Sequence, residues 1–299
     1  MKLNDISILK ATSVTLLSLL SVAQLFAQGS ERGAAQPPLH QADFSVFSET
    51  DTMDLFLLVG QSNMKGRGAI VMQPTTHPRN LFFHSKKEQW FVSRDPLHAY
   101  GTPDLIDGSD NAGTGPAMSY AMTLLEQDPD LAIGLVPAAV GGARISLYKE
   151  GGKLYERSLM LLKEAQVQAP LKAEVKAILW LQGESDSTEE GYLSYEQKLL
   201  DLVDRYRADL NNPELPFIAC TIGSFLHPHR KFTRTREINE ILMSLPSKRK
   251  YTACVDARDL SGHIGDKVHY SKEAQVEIGK RFAAAYLKLT ATELNQEID

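Results

Sequence analysis

Two cysteines in 299 residues leave no thiolate set for a structural zinc and no disulfide framework. Cys220 and Cys254 both sit in apolar, strand-like runs and read as buried thiols, with pairing left open because it needs closely spaced Cα atoms. Basic excess is lacking too. Lys and Arg number 32 against 37 Asp and Glu, a formal net charge of −5, and no basic tract interleaves with aromatics. That excludes a nucleic-acid reader and favours neutral or weakly charged ligands. No internal repeat and no linker divides the chain. His227, His229 and His263 lie in segments rich in Pro, Arg and Lys, and read as exposed loop rather than a metal site. No metal and no cofactor is expected.

Also missing is an apolar run of the about 20 residues that a comfortable membrane span requires. The nearest approach, ATSVTLLSLLSVAQLFAQ at 11–28, is short and serine-rich. Lys2 and Lys10 precede it, and small residues at Ser21, Ala23 and Ala27 offer cleavage points. Residues 1–27 therefore read as a secretory signal peptide, which implies export to periplasm, cell surface or medium without stable membrane insertion. Residues 28–50 read as a flexible lead-in and 51–292 as one domain.

What is present within that domain is alternation. Five near-continuous apolar runs, at 54–60, 131–140, 175–183, 216–223 and 252–258, have the pattern of strands covered on both faces. Helical patterns separate them at 115–127, 154–169, 192–210 and about 233–245, and a last one runs from Lys272 to about Leu289 behind Ser271 as N-cap. This order predicts a doubly wound α/β sheet, mainly parallel and five-stranded. The long insertion 69–113 holds an apparent hairpin, NLFFHS and QWFVS, with Lys86 and Lys87 at its turn. Trp180 reads as core, and Trp90 on the insertion as a candidate for stacking on a sugar.

Right-handed crossovers bring every strand's carboxyl end to one edge, where ligands bind in such sheets. The polar residues there are Gln61-Ser62-Asn63 after the first run, Gly141-Gly142-Ala143-Arg144 after the second and Gln182-Gly183-Glu184-Ser185-Asp186 after the third. Asp266 and His269 follow the fifth. Hydrolysis of an ester needs such an inventory. A serine hydroxyl requires an imidazole to take its proton, and the imidazole requires a carboxylate to fix its tautomer. Ser62, His269 and Asp266 can fill those roles. The Gly141 or Gly142 N–H and the Gln182 amide are candidate donors to a developing oxyanion. Gln61, Asn63, Arg144 and Glu184 are candidate substrate contacts. Glu184 and Asp186 could also be taken as the acid pair of a glycosidase, but two acids on one short loop seldom flank a sugar from opposite sides. They read instead as ties to backbone donors.

The blocks GQSNM, AVGGARI, LQGESD and DKVHYS, in this order, resemble the SGNH hydrolase superfamily, and within it the sialate O-acetylesterase-like branch that includes the carbohydrate esterase family 6 acetylxylan esterases. The resemblance spans nearly all of 53–290. It implies a three-layer α/β/α sandwich of flavodoxin type, with Ser62 as nucleophile and Asp266 and His269 completing a triad. It also implies that Ser62, Gly141 or Gly142, and Gln182 form the oxyanion hole. The implied activity is removal of acetyl groups from a carbohydrate such as acetylxylan or acetylated sialic acid. A catalytically inactive carbohydrate-binding protein is the alternative. Two positions depart from the family pattern: Leu181 stands where a histidine is frequent, and Tyr148 where a tryptophan is.

Overall fold

The computed structural model describes residues 38–71, 75–98, 111–227 and 230–296, with side chains to residue 291. The proposed signal segment lies outside the described residues, as does His229. By contacts the chain divides into Met1–Pro38 and Leu39–Asp299, and all that follows concerns the second unit.

Seven strands form one sheet: β1 (Thr52–Gly60), β2 (Asn80–His84), β3 (Gln89–Val92), β4 (Ala132–Pro137), β5 (Lys172–Leu181), β6 (Phe217–Cys220) and β7 (Thr252–Val255). Their order is β3-β2-β4-β1-β5-β6-β7, parallel throughout except for the β2–β3 hairpin. The five strands expected from the apolar runs are all present, in the flavodoxin-like order second-first-third-fourth-fifth. The count of five is corrected to seven. The hairpin of the insertion docks β2 alongside β4 and extends the sheet, because Leu81, Phe82 and Phe83 are apolar on both faces and fully buried there.

Strand β1 shows why the run is continuous. Met53, Leu55, Leu57 and Val59 point into one core with Trp180, Leu199 and Phe217. Phe56 and Leu58, alternating with them, point into the other core with Tyr120, Ile278 and Phe282. A strand's period of two sends neighbours to opposite faces, so a strand covered twice must be apolar at every position. Fully burying each such side chain stabilises by about 1.5–3 kcal/mol.

The helices are a single turn α1 (Ser62–Lys65), then α2 (Ala117–Gln127), α3 (Lys153–Val167), α4 (Tyr195–Asp209), α5 (Thr235–Lys248) and α6 (Lys272–Gln296). Buried residues of α2 and α6 share one core, and those of α3, α4 and α5 the other. Ser271 caps α6 as expected, its hydroxyl accepting the Ala274 N–H at 3.3 Å. Among the described residues no helix is long and apolar enough to cross a membrane.

Part of the lead-in departs from the expectation of a structureless segment. Ala42 donates to the Trp90 carbonyl, Val92 donates to that of His40, and Phe44 and Phe47 pack on the core. The physical reason is that β3 is an edge strand whose backbone groups need partners, and this segment supplies them. Trp90 is also corrected. It is only 2% exposed, meets Phe83 edge-on at 5.4 Å and donates its indole N–H to the Ala165 carbonyl at 3.2 Å, so it is core and offers no stacking face.

Candidate active site

Strand β1 ends against β5, and at their carboxyl ends the chain must leave the sheet at once. Gly60 makes that possible. Its φ is +134°, and a Cβ there would lie 2.2 Å from the Leu181 carbonyl oxygen. Tyr148 fixes the same residue, its buried phenol donating to the Gly60 carbonyl at 2.8 Å and accepting the Gly60 N–H at 3.3 Å. The Tyr148 ring stands edge-on to Trp180 at 5.0 Å. Gln61 then donates its backbone N–H to Leu181, and Ser62 opens the turn α1.

From the far end of the chain, the loop between β7 and α6 brings Asp266 and His269. His269 Nε2 lies 2.9 Å from Ser62 Oγ, and His269 Nδ1 lies 2.5 Å from Asp266 Oδ2. The other oxygen of Asp266 accepts the backbone N–H groups of Val268 and His269, both at 2.9 Å. Burial works to raise the Asp266 carboxyl, but the His269 N–H, the His269 ring and the Val268 N–H outweigh it and hold the carboxyl below its ordinary value. A carboxylate so held stays ionised and orients the imidazole with its Nε2 toward the serine.

Of the candidate oxyanion donors, the backbone N–H groups of Ser62 and Gly142 have no intramolecular acceptor among the described residues. Gly142 is exposed, with φ of +71° and nothing within 4 Å of where a Cβ would stand, so a ligand can approach its backbone. Gly141, beside it, is buried. Gln182 is a different matter. It is fully buried, and its amide nitrogen faces Gln61 Oε1 at 3.1 Å, the Ala143 carbonyl at 3.0 Å and Asp186 Oδ2 at 2.6 Å. Two amide hydrogens facing three acceptors leave none for an oxyanion. The geometry corrects Gln182 from donor to tie.

Three of the candidate substrate contacts are also ties. Gln61 is 2% exposed, and Asn63 and Glu184 are fully buried. Gln61 Oε1 accepts from the Gln182 amide and from the Ser185 N–H at 3.2 Å. Asn63 donates to Glu184 Oε1 and to the Val268 carbonyl at 3.1 Å, and accepts the Tyr270 N–H at 3.0 Å. It thus holds the residues on both sides of His269. Arg144 alone of the four is exposed.

Burial of Glu184 raises its carboxyl from 4.5 to about 7, against the opposing hydrogen bond from Asn63. Asp186, 3% exposed, is also pushed up, chiefly by burial, although it accepts the Ile145 N–H at 2.8 Å. Both acids lie in the protein rather than facing a ligand, in keeping with the role read for them as ties. The sequence reading missed Gln275, which donates to the Asn63 carbonyl from 212 positions away at 3.0 Å. No local pattern carries that signal. Among the described residues no group of His, Cys, Asp and Glu is arranged to hold a metal.

A flavodoxin-like sheet with this serine, histidine and aspartate chain on its carboxyl edge has the architecture of the SGNH-type hydrolases. Residues 52–288 match the family described as "Carbohydrate esterase, sialic acid-specific acetylesterase", and the chain belongs to that family. A "Probable carbohydrate esterase" of Arabidopsis thaliana is 34% identical over 251 residues, covering 78% of this chain and 90% of that protein. The crystal structure of that Arabidopsis protein superposes with a TM-score of 0.68 at 31% identity, covering 79% of this chain and 98% of that one. The fold is shared with NanS at a TM-score of 0.62 and 19% identity, covering 82% of this chain and all of NanS. It is also shared with a carbohydrate acetylesterase from Xanthomonas citri at 0.54 and 17%, covering 79% of this chain and 55% of that one. Membership supports an acetylesterase role.

Proposed function

We propose that this chain is an exported serine esterase that removes O-acetyl groups from a carbohydrate, such as acetylxylan or an acetylated sialic acid, through an acetyl-Ser62 intermediate. The observation that carries the reading is the continuous hydrogen-bonded chain from Ser62 Oγ to His269 to Asp266. His269 Nε2 takes the serine proton as Oγ attacks the acetyl carbonyl. The oxyanion forms against the N–H groups of Ser62 and Gly142, and Arg144 meets the sugar at the rim. Collapse breaks the ester bond, and the leaving sugar oxygen receives the proton held by His269. Water, deprotonated by the same nitrogen, then attacks the acetyl carbon, and acetate leaves with Ser62 restored.

Hydrolysis of 4-nitrophenyl acetate and butyrate by the native protein and Ser62→Ala tests this reading. Preference for acetate, with kcat lowered about 10³-fold or more in the variant, is expected. Activity that survives Ser62→Ala overturns the assignment. Export with removal of residues 1–27 is tested by cell fractionation and N-terminal sequencing of the recovered protein. Protein found only in the cytoplasm would contradict export, and residues 1–27 still attached would contradict cleavage.

A further inference from the structure

In the proposed reaction two backbone N–H groups receive one oxyanion, and such donors serve only if both lie within about 2.7–3.1 Å of the same point. The Ser62 N–H follows β1, and the Gly142 N–H follows β4. The two strands stay paired as far as the Val140 N–H, which donates to the Gly60 carbonyl at 3.2 Å. Past it the chain leaves the sheet, with Gly141, Ala143 and Ile145 buried and Gly142 and Arg144 exposed. No atom beyond its chain neighbours lies within 4 Å of where a Gly142 Cβ would stand, so packing does not fix this residue.

Hydrogen bonds from the loop after β5 fix it instead. Ser185 Oγ donates to the Gly142 carbonyl at 3.1 Å, the Gln182 amide faces the Ala143 carbonyl at 3.0 Å, and the Ile145 N–H donates to Asp186 Oδ2 at 2.8 Å. The same loop grips the other donor's neighbour. Gln61, which directly precedes Ser62, accepts at Oε1 from the Ser185 N–H at 3.2 Å and faces the Gln182 amide at 3.1 Å. Residues 182–186 therefore hold the chain just before Ser62 and the chain at and after Gly142.

Asp186 carries most of this junction. Its Oδ2 serves the Ile145 N–H and, at 2.6 Å, the Gln182 amide, and Gln182 in turn reaches Ala143 and Gln61. Ile145 is 1% exposed and Gln182 fully buried, so without that oxygen both would lose an acceptor away from water. Ser185 adds the one bond made to Gly142 itself by a side chain. We propose that Asp186 and Ser185 are positioning residues, which set the Gly142 N–H in register with the Ser62 N–H so that both meet the oxyanion. The inference rests on the esterase reading and adds to it two residues that act through the Gly142 loop rather than on the ester.

The test compares initial rates on 4-nitrophenyl acetate for the native protein, Asp186→Leu, Asp186→Asn and Ser185→Ala. Leucine keeps the size of Asp186 without an acceptor, and kcat should fall about 10²-fold with KM changed by less than about twofold. Asparagine can turn its amide oxygen to both donors as Oδ2 does, and should bring kcat back to within about fivefold of native. Ser185→Ala removes one hydroxyl at a part-exposed position and leaves the Ser185 N–H on Gln61, so it should fold and lose about fivefold in kcat at unchanged KM. Native kcat in Asp186→Leu, a loss that asparagine does not restore, or losses that appear in KM overturn the proposal. Should Asp186→Leu fail to fold, Ser185→Ala carries the test, and native kcat there overturns it. If the native protein hydrolyses no ester, the esterase reading fails separately, and hydrogen exchange of a peptide spanning 139–147 decides for the loop. Faster exchange in Ser185→Ala than in native protein sustains the positioning role, and equal exchange overturns it.

Discussion

At the scale of single residues, the polar side chains around Ser62 divide into those that face the cleft and those that hold it in shape. Asn63 belongs to the second group, because it grips the backbone on both sides of His269 while it is itself gripped by Gln275. Asn63→Ala should therefore lower kcat by about 10²-fold with little change in KM, since what it loses is the placement of His269 against Ser62. A variant with native kcat in initial-rate measurements would contradict this. Glu184 makes a prediction about pH. Its folded carboxyl is raised to about 7 by burial, so between about 4.5 and 7 the folded chain holds a proton that the unfolded chain has released. Stability should fall as pH rises through that window. Half-buried Asp95, raised to about 7, and Asp54, raised to about 6, act in the same direction. Glu184→Gln keeps an oxygen for Asn63 and removes the titration, so the melting temperatures at pH 5 and pH 7.5 should draw closer. An unchanged difference between them would count against the buried, protonated acid. At this scale the sequence shows that strand ends carry serine, asparagine, glutamine and glutamate. It does not show which of them lie under the surface, because the burial of Gln61, Asn63 and Glu184 is decided by loops more than a hundred residues away.

At the scale of elements, β1 is the strand that delivers the serine, and its two-faced burial makes it sensitive. Leu57→Ala removes a fully buried side chain and should destabilise by about 2–5 kcal/mol, read as a shift in the urea midpoint. Gly60→Ala sets a methyl against the Leu181 carbonyl in a backbone conformation costly for any L side chain. Loss of about 2 kcal/mol or more is expected, together with lower activity, because the turn into Ser62 starts there. The two cysteines are settled by register. Cys254 lies beside Ala219 and Cys220 beside Val255 on the parallel strands β6 and β7, so the two thiols project to opposite faces and stay free. Thiol titration of the unfolded, unreduced protein should find two. Most elements were legible because a continuous apolar run and a 3.6-residue period are local signals. The hairpin was legible as a hairpin, but its place beside β4 was not, since pairing across an insertion is decided by tertiary packing. Trp90 was misread for the same reason, as its neighbours Phe83 and Ala165 come from other elements.

At the scale of the whole molecule, the strand order places β1 between β4 and β5, at the point where successive connections diverge to opposite sides of the sheet. Ser62 leaves the sheet there, and the chain returns after β7 to set His269 over it. This topology makes the site depend on residues 207 positions apart, so the hydroxyl and the imidazole meet only when the sheet is complete. We propose that this meeting makes Ser62 a nucleophile. The most direct measurement is mass spectrometry of the native protein after reaction with a fluorophosphonate, which bonds covalently to activated serines. One adduct is expected, on the peptide that carries Ser62, and none after His269→Ala. A label on another serine, or none on native protein, would contradict it.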